Sequence, residues 1–436
     1  MNDPAVPSPP TPPATPFSRR RFLSTSALIG AGLATSPFLT ACTKQSTAAQ
    51  SVAPAAGGAT TRSAAASGSA IAPAGTGTKT TDFPSKLWKL SDTAGAKPSL
   101  DRRIAFQNVV SGAAALDLAD KWLHQAADEI KFDYITANSQ GNSAATISQM
   151  KQSIARGIMG MVAPGQDIPA QIAAMQTNMQ KGGAMFLFNT GSVTCGMAAV
   201  QYTFGYTQGQ FAARYIKDEL GGDAKVLFIN QNGSITLRPR ETGFFDALKE
   251  AGVSKDAITS LDAGEIGTQE VAFKVMNTAL QKSGDYNVVA GAQDELALGA
   301  MAALKAAGKW TAIPKLAVIG AEGTPQAVSY IKSGDTPFKA TSAVHFPMVG
   351  YVPGRMIGRW ADGQSIPQFL EYPSFLIDSA DTANAFEKDL DRCPELYQDM
   401  LDGDMKYVVP RGEISYETRD GYYEGDLPIK LPTLET

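Results

Sequence analysis

The chain has few of the residues on which most metal and nucleophilic chemistry depends. Its 436 residues contain only 3 cysteines and 2 histidines. That is too few for a Cys/His zinc site at any usual spacing. There is no Gly-x-Ser-x-Gly nucleophile turn and no phosphate loop of the Walker type, so neither common hydrolase signature is present. His124 falls on the first helix of the body, away from the strand ends where sites form. No cofactor or metal is expected, and the chain is not expected to be an enzyme. No basic block follows the N-terminal 41 residues and the net charge is −4, so the electrostatic footprint of a nucleic-acid binder is missing. Charged residues make up 18% and hydrophobic residues 44%, an ordinary globular balance. Regular apolar patterning rules out a disordered, solvating chain.

What is present begins with an address. Residues 1–17 are rich in proline and alanine. Ser18-Arg19-Arg20-Arg21-Phe22-Leu23 follows, and it resembles the twin-arginine export signal, which a receptor reads. The apolar stretch from about Ser26 to Phe38 is shorter than the roughly 20 residues of a membrane span, which suits a cleavable signal. Leu39-Thr40-Ala41-Cys42 resembles a lipobox. The resemblance implies cleavage before Cys42 and a lipid on its thiol; an uncut anchor is the alternative. Residues 43–80 are almost wholly Ala, Ser, Thr and Gly. Such a segment buries too little apolar area to offset its ordering entropy, so 42–100 reads as a flexible tether and lead-in.

From Arg102 onward, strand and helix alternate. Short apolar strands are predicted near 103–110, 133–137, 158–163 and 185–188, with helices between them. Pro169 marks one helix start and Gly182-Gly183 follows its end. A second run has strands near 225–229, 258–261, 287–290, 316–319 and 341–344. Its helices fall near 208–220, 240–251, 268–282, 295–307 and 325–333. This alternation predicts an α/β fold with parallel sheets covered by helices on both faces. Two runs predict two lobes, with ligand-binding residues just beyond the carboxyl ends of the strands.

Three stretches carry a family resemblance: Gln293-Asp294-Glu295-Leu296-Ala297-Leu298-Gly299-Ala300, Ile319-Gly320-Ala321-Glu322-Gly323-Thr324-Pro325, and Arg238-Pro239-Arg240-Glu241-Thr242-Gly243-Phe244. Together, in the order and register they have along the chain, they resemble the type I periplasmic binding proteins, in particular the ribose- and galactose-binding group that feeds ABC importers. The resemblance runs from about Arg102 to Asp378. It implies two Rossmann-like lobes joined by three hinge crossings, closing over a sugar or polyol. The N-lobe would be 101–204 plus 346–372, the C-lobe 205–345 plus 373–378, and 379–436 an extension of unknown role. The implied partners are a membrane permease and the lipid anchor, and the protein is expected to be a monomer. A ligand-sensing receptor for chemotaxis or two-component signalling is the alternative. A transcriptional regulator of the related sugar-repressor kind is not expected, since the chain reads as exported and no helix-turn-helix precedes the body.

The resemblance also assigns candidate ligand contacts. Arg240 matches the family's ligand-binding arginine, whose planar guanidinium can hold two adjacent hydroxyls. Glu322 stands where the family usually has aspartate, and it would compensate Arg240 in a closed cleft. Gln293 replaces an asparagine, with Asp294 beside it read as a helix cap. His345 falls near the position of the family's glutamine at a lobe crossing, where a hinge histidine bonded to backbone is the alternative. Asn189-Thr190 replace a charged Asp-Arg pair, and Asn108 and Ser111 lie in and after the first strand. The loop 111–115 lacks the aromatics that stack on sugar faces, and Gly267-Thr268 replace another aromatic. A small, hydrogen-bonded polyol, a compact sugar or a small hydroxy acid fits this pattern better than a flat nucleoside. Phe106, Phe188, Phe204, Tyr206 and Phe346 are available as an apolar wall, although aromatics in strands usually belong to the core. Cys195 and Cys393 remain for a disulfide that export would permit, or for two inert thiols. In the tail, 380–390 reads as helical with Cys393-Pro394 ending it, and 408–416 as a strand.

Overall fold

A computed structural model describes residues 93–165, 168–188 and 193–419. The export signal with Cys42, the tether, the Asn189-Thr190 pair and Tyr422-Tyr423 lie outside the described residues.

The first run builds β1 (Asp101–Asn108), α1 (Ala114–Glu129), β2 (Asp133–Asn138), α2 (Ser143–Ala155), β3 (Ile158–Pro164), α3 (Ile168–Gln180), β4 (Ala184–Phe188) and β5 (Cys195–Ala198). The long α4 (Gln201–Asp218) leads into the second run. That run comprises β6 (Val226–Asn230), α5 (Arg238–Glu250), β7 (Ile258–Asp262), α6 (Gln269–Ser283), β8 (Val288–Gly291), α7 (Asp294–Ala306), the short α8 (Lys309–Ala312), β9 (Ala317–Glu322), α9 (Pro325–Ser333) and β10 (Phe338–Ala343). The chain then continues through α10 (Phe346–Ala361), β11 (Phe369–Glu371), β12 (Phe375–Ile377), α11 (Ala380–Asp389), α12 (Cys393–Asp402) and β13 (Val409–Arg411).

Two sheets result. One has the order β13-β11-β5-β4-β3-β1-β2 and the other β12-β10-β9-β8-β6-β7. Neighbours from β5 to β2 and from β10 to β7 pair in parallel. Central strands such as β3, β4, β6 and β9 are buried nearly end to end. Helices cover both faces of each sheet, and a continuous Val/Ile/Met/Ala run is what such a strand requires. Caps set several helix starts: Asn142 accepts from Ala145 N–H ahead of α2, and Thr268 from Val271 N–H ahead of α6.

The sheet order counts the crossings. The chain passes from the first sheet to the second between β5 and β6, returns between β10 and β11, and leaves again between β11 and β12. These are the three crossings expected. A fourth follows, because β13 returns to the first sheet and pairs antiparallel with β11. Cys393-Pro394 opens α12 rather than ending the helix before it, with proline in the first turn, where its missing N–H costs nothing. Cys195 and Cys393 are both free and buried, so no bridge joins them. Among the described residues, no helix is long and apolar enough to cross a membrane.

Candidate functional site

The carboxyl ends of β8 and β9 converge on one side chain, Arg240. It sits in the first turn of α5, placed there by Pro239 and a preceding 3-10 turn at Ile235–Leu237. A cation at a helix N-terminus opposes the helix dipole, and this one is only 2% exposed. Its surroundings compensate. Arg240 Nη1 donates to Glu322 Oε1 at 3.1 Å and to the Ala292 carbonyl at 2.6 Å, and Nε donates to Gln201 Oε1 at 2.6 Å. The guanidinium lies over the Phe204 ring, 4.5 Å from its centre, a cation–π contact that further offsets desolvation. Nη2 has no hydrogen bond among the described residues. Burial lowers the affinity of Arg240 for its proton, but a guanidinium remains charged.

Glu322 closes β9 with φ of +108°, a region that a residue with a side chain enters only at a cost of about 1–3 kcal/mol. The strained turn into Gly323 holds its carboxylate against Arg240. Burial pushes that carboxyl up to about 7, against the pull of Arg240. Gln293 precedes α7 and donates from Nε2 to Gln231 Oε1. A side chain at Gly267 would begin 1.8 Å from Gln293 Nε2.

Asp294 is the first residue of α7 rather than its cap. Its carboxylate accepts from Thr324 N–H at 2.7 Å and Thr341 Oγ1 at 2.8 Å, tying down the loop after β9. Gln208, wholly buried on α4, donates to the carbonyls of Gly291 and Gly320 at 2.9 and 2.6 Å, tying the end of β8 to the interior of β9. Glu295 reaches across to the other sheet's helices. Its Oε1 accepts from Ala114 N–H, at the start of α1, at 3.3 Å, and α1 has no side-chain cap of its own. Burial raises the pKa of Glu295.

On the first lobe, Asn108 ends β1, is 3% exposed, and accepts from Val110 N–H at 3.0 Å. Ser111 lies in the exposed turn beyond it and accepts from Gln140 Nε2 at 2.8 Å. His345 is placed differently from a ligand contact. Its ring is fully buried; Nδ1 accepts from Met348 N–H at 3.3 Å and Nε2 faces the Asp389 carbonyl at 3.1 Å. Both ring nitrogens are committed to backbone, so His345 caps α10 at the crossing and offers nothing to a solute. Arg240, Glu322 and Gln293 are brought together; Asn108 and Ser111 belong to the facing sheet. Gln201, Gln231 and Glu295 were not singled out from sequence. Gln231 directly follows β6 and Glu295 directly follows the Gln293-Asp294 pair, so the rule of reading just past each strand reaches both. Among the described residues, no cluster of side chains is suited to hold a metal.

This constellation lies within residues 104–365, which match the family model described as a periplasmic binding protein domain. The chain belongs to that family. The family consists of solute-binding proteins, not enzymes. Among curated relatives, this binding protein is 25% identical over 215 residues to the ribose import binding protein of Haemophilus influenzae, covering 48% of this chain and 68% of the relative. It is 28% identical over 190 residues to the D-apiose import binding protein of Paraburkholderia graminis, covering 43% and 57%. Among solved structures, it superposes on a solute-binding protein from Actinobacillus succinogenes with bound D-allose. The TM-score is 0.58 at 18% identity, covering 65% of this chain and 100% of that one. A Bacillus halodurans protein with bound myo-inositol gives 0.56 at 17%, covering 66% and 99%. At these identities, the structural matches establish the fold.

Proposed function

We propose that this binding protein is the extracytoplasmic capture subunit of an ABC importer. In this reading it is exported by the twin-arginine route, anchored through lipid on Cys42, and takes a small uncharged polyhydroxylated molecule, a monosaccharide or sugar alcohol, between its lobes. The carrying observation is Arg240: a buried guanidinium at the converging strand ends, held on Nε and Nη1 by protein acceptors, with Nη2 unclaimed among the described residues. Glu322 already pairs with it within the protein, and in its ionised form leaves a ligand no countercharge to supply. A sugar acid or phosphate would bring a second buried anion beside Glu322, which is costly. Gln293, Gln231 and Asn108 offer amides that suit hydroxyls. The ribose, D-apiose, D-allose and myo-inositol named for its relatives and neighbours are all of this class.

Thermal-shift screening of the exported form against D-ribose, D-apiose, D-allose, myo-inositol and glycerol tests the reading. A true ligand at ~100 times its dissociation constant adds about 2.7 kcal/mol of stability. Stabilisation only by nucleosides or amino acids would remove the polyol assignment. With a ligand in hand, Arg240→Ala should weaken affinity roughly 10- to 100-fold, the worth of a charged hydrogen bond. A change within about twofold would remove Arg240 from the site.

A further inference from the structure

The extension after Asp378 is anchored in both lobes. On the second lobe, Ala383 and Phe386 of α11 join the core built around β6 to β10, and Lys332 of α9 pairs with Glu387 at 2.5 Å. Beyond Asp389 the chain changes lobe. Cys393, Leu396, Tyr397 and Met400 of α12 enter the core of the first lobe, and Arg355 of α10 lies over the Tyr397 ring at 5.3 Å. β13 then extends the first sheet, and Arg411 donates twice to Glu371 Oε2, at 2.8 and 2.6 Å.

The point of passage is joined to two earlier crossings. Asp389 is 5% exposed. Its carboxylate accepts from Arg392 Nη1 at 2.9 Å, Lys406 Nζ at 2.7 Å and the Tyr407 hydroxyl at 2.7 Å. Its carbonyl faces His345 Nε2, on the β10–α10 crossing. The Tyr407 ring lies 4.4 Å from that of His345 and 5.6 Å from that of Phe375, which opens β12 just past the third crossing. Phe386 lies 5.3 Å from Phe375 and 5.7 Å from His345. One aromatic cluster thus joins the second crossing, the third crossing and the extension.

We propose that residues 379–411 form a strap that braces the hinge and limits how far the two lobes open. Rotation about extended crossings alone changes a few backbone dihedrals. A fourth segment embedded in two cores must instead be sheared where it passes, separating Tyr407 and Phe386 from His345 and Phe375 and breaking the Asp389 hydrogen bonds. Wide opening therefore carries a cost that three crossings would not impose. The open population is smaller, and less of any ligand's binding energy goes into closure.

The test needs no ligand. The full chain, with Cys42→Ser, takes spin labels at one exposed position near the strand ends of each lobe, through Ala144→Cys in α2 and Glu270→Cys in α6; Cys195 and Cys393 are buried and do not compete. Pulsed electron paramagnetic resonance then reads the interlobe distance. The strap requires a narrow distribution that gains a longer component in Asp389→Ala and in a chain ending at Asp378. Tyr407→Phe removes one hydroxyl and keeps the test readable if the larger changes prevent folding. It should speed amide exchange around His345 and Phe375 about tenfold, with β1 and β6 unchanged. Distributions that superimpose on the parent in every folded variant, or loosening confined to the first lobe, would overturn the strap.

Discussion

The two buried groups that matter most at the scale of single residues respond to pH in opposite directions. Burial lowers the pKa of His345 to about 4, although the Asp389 carbonyl favours its proton and Lys406 opposes it. A base with a lowered pKa is neutral in the fold and charged in the unfolded chain below about 6.5. Its stabilising contribution is therefore complete above 6.5 and is lost as pH falls toward 4. The shift corresponds to at most about 3 kcal/mol. Glu322, raised to about 7, acts the other way: its contribution is complete below about 4.5 and is lost as pH rises through 7. Denaturant midpoints at pH 7 and pH 4.5 for the parent and His345→Gln separate the two. Glu322 is common to both proteins, so the parent should lose about 2–3 kcal/mol more than the variant on acidification. Equal losses would mean that His345 is already solvated in the fold. Arg240 was legible from the sequence because its stretch carried the family pattern. Its commitments to Gln201 and Phe204 were not, because both come from α4, far away in the chain.

Among the secondary-structure elements, the close approach of α7 to β9 decides which residue can stand in the strand. A methyl group at Gly320 would begin 2.0 Å from Asp294 Oδ1 and 2.7 Å from the Phe338 ring. Neither can yield easily, because Asp294 is pinned by Thr324 and Thr341. Gly320→Ala should therefore destabilise the protein by about 1–3 kcal/mol, although alanine suits a strand at least as well as glycine does. Urea unfolding measures it, and an unchanged midpoint would show that α7 can move away. Most elements were readable from period and punctuation alone. The short β5 was not, since four residues carry too little pattern. Cys393-Pro394 was read as a stop and is a start, because proline marks either end of a helix and only the surrounding fold chooses between them.

For the molecule as a whole, stability comes from three buried apolar clusters, two in the first lobe and one in the second, and from the segments that pass between the lobes, with no covalent cross-link among the described residues. Cys195 and Cys393 are free, and burial raises the pKa of each thiol, leaving it unreactive. Melting with and without reductant should coincide, whereas loss of a disulfide would remove about 2–4 kcal/mol. A reductant-dependent fall of several degrees would mean that the thiols do pair.

The order of strands and helices, the two-lobe plan and the strand-end position of Arg240, Glu322 and Gln293 were determined by the sequence itself, because local periodicity and short contiguous motifs encode them. The commitment of His345 to backbone, the reach of Glu295 to α1 and the return of the extension to the first sheet were decided only by the tertiary structure. Each depends on segments distant in the chain meeting in space, and no local pattern records which of them will meet.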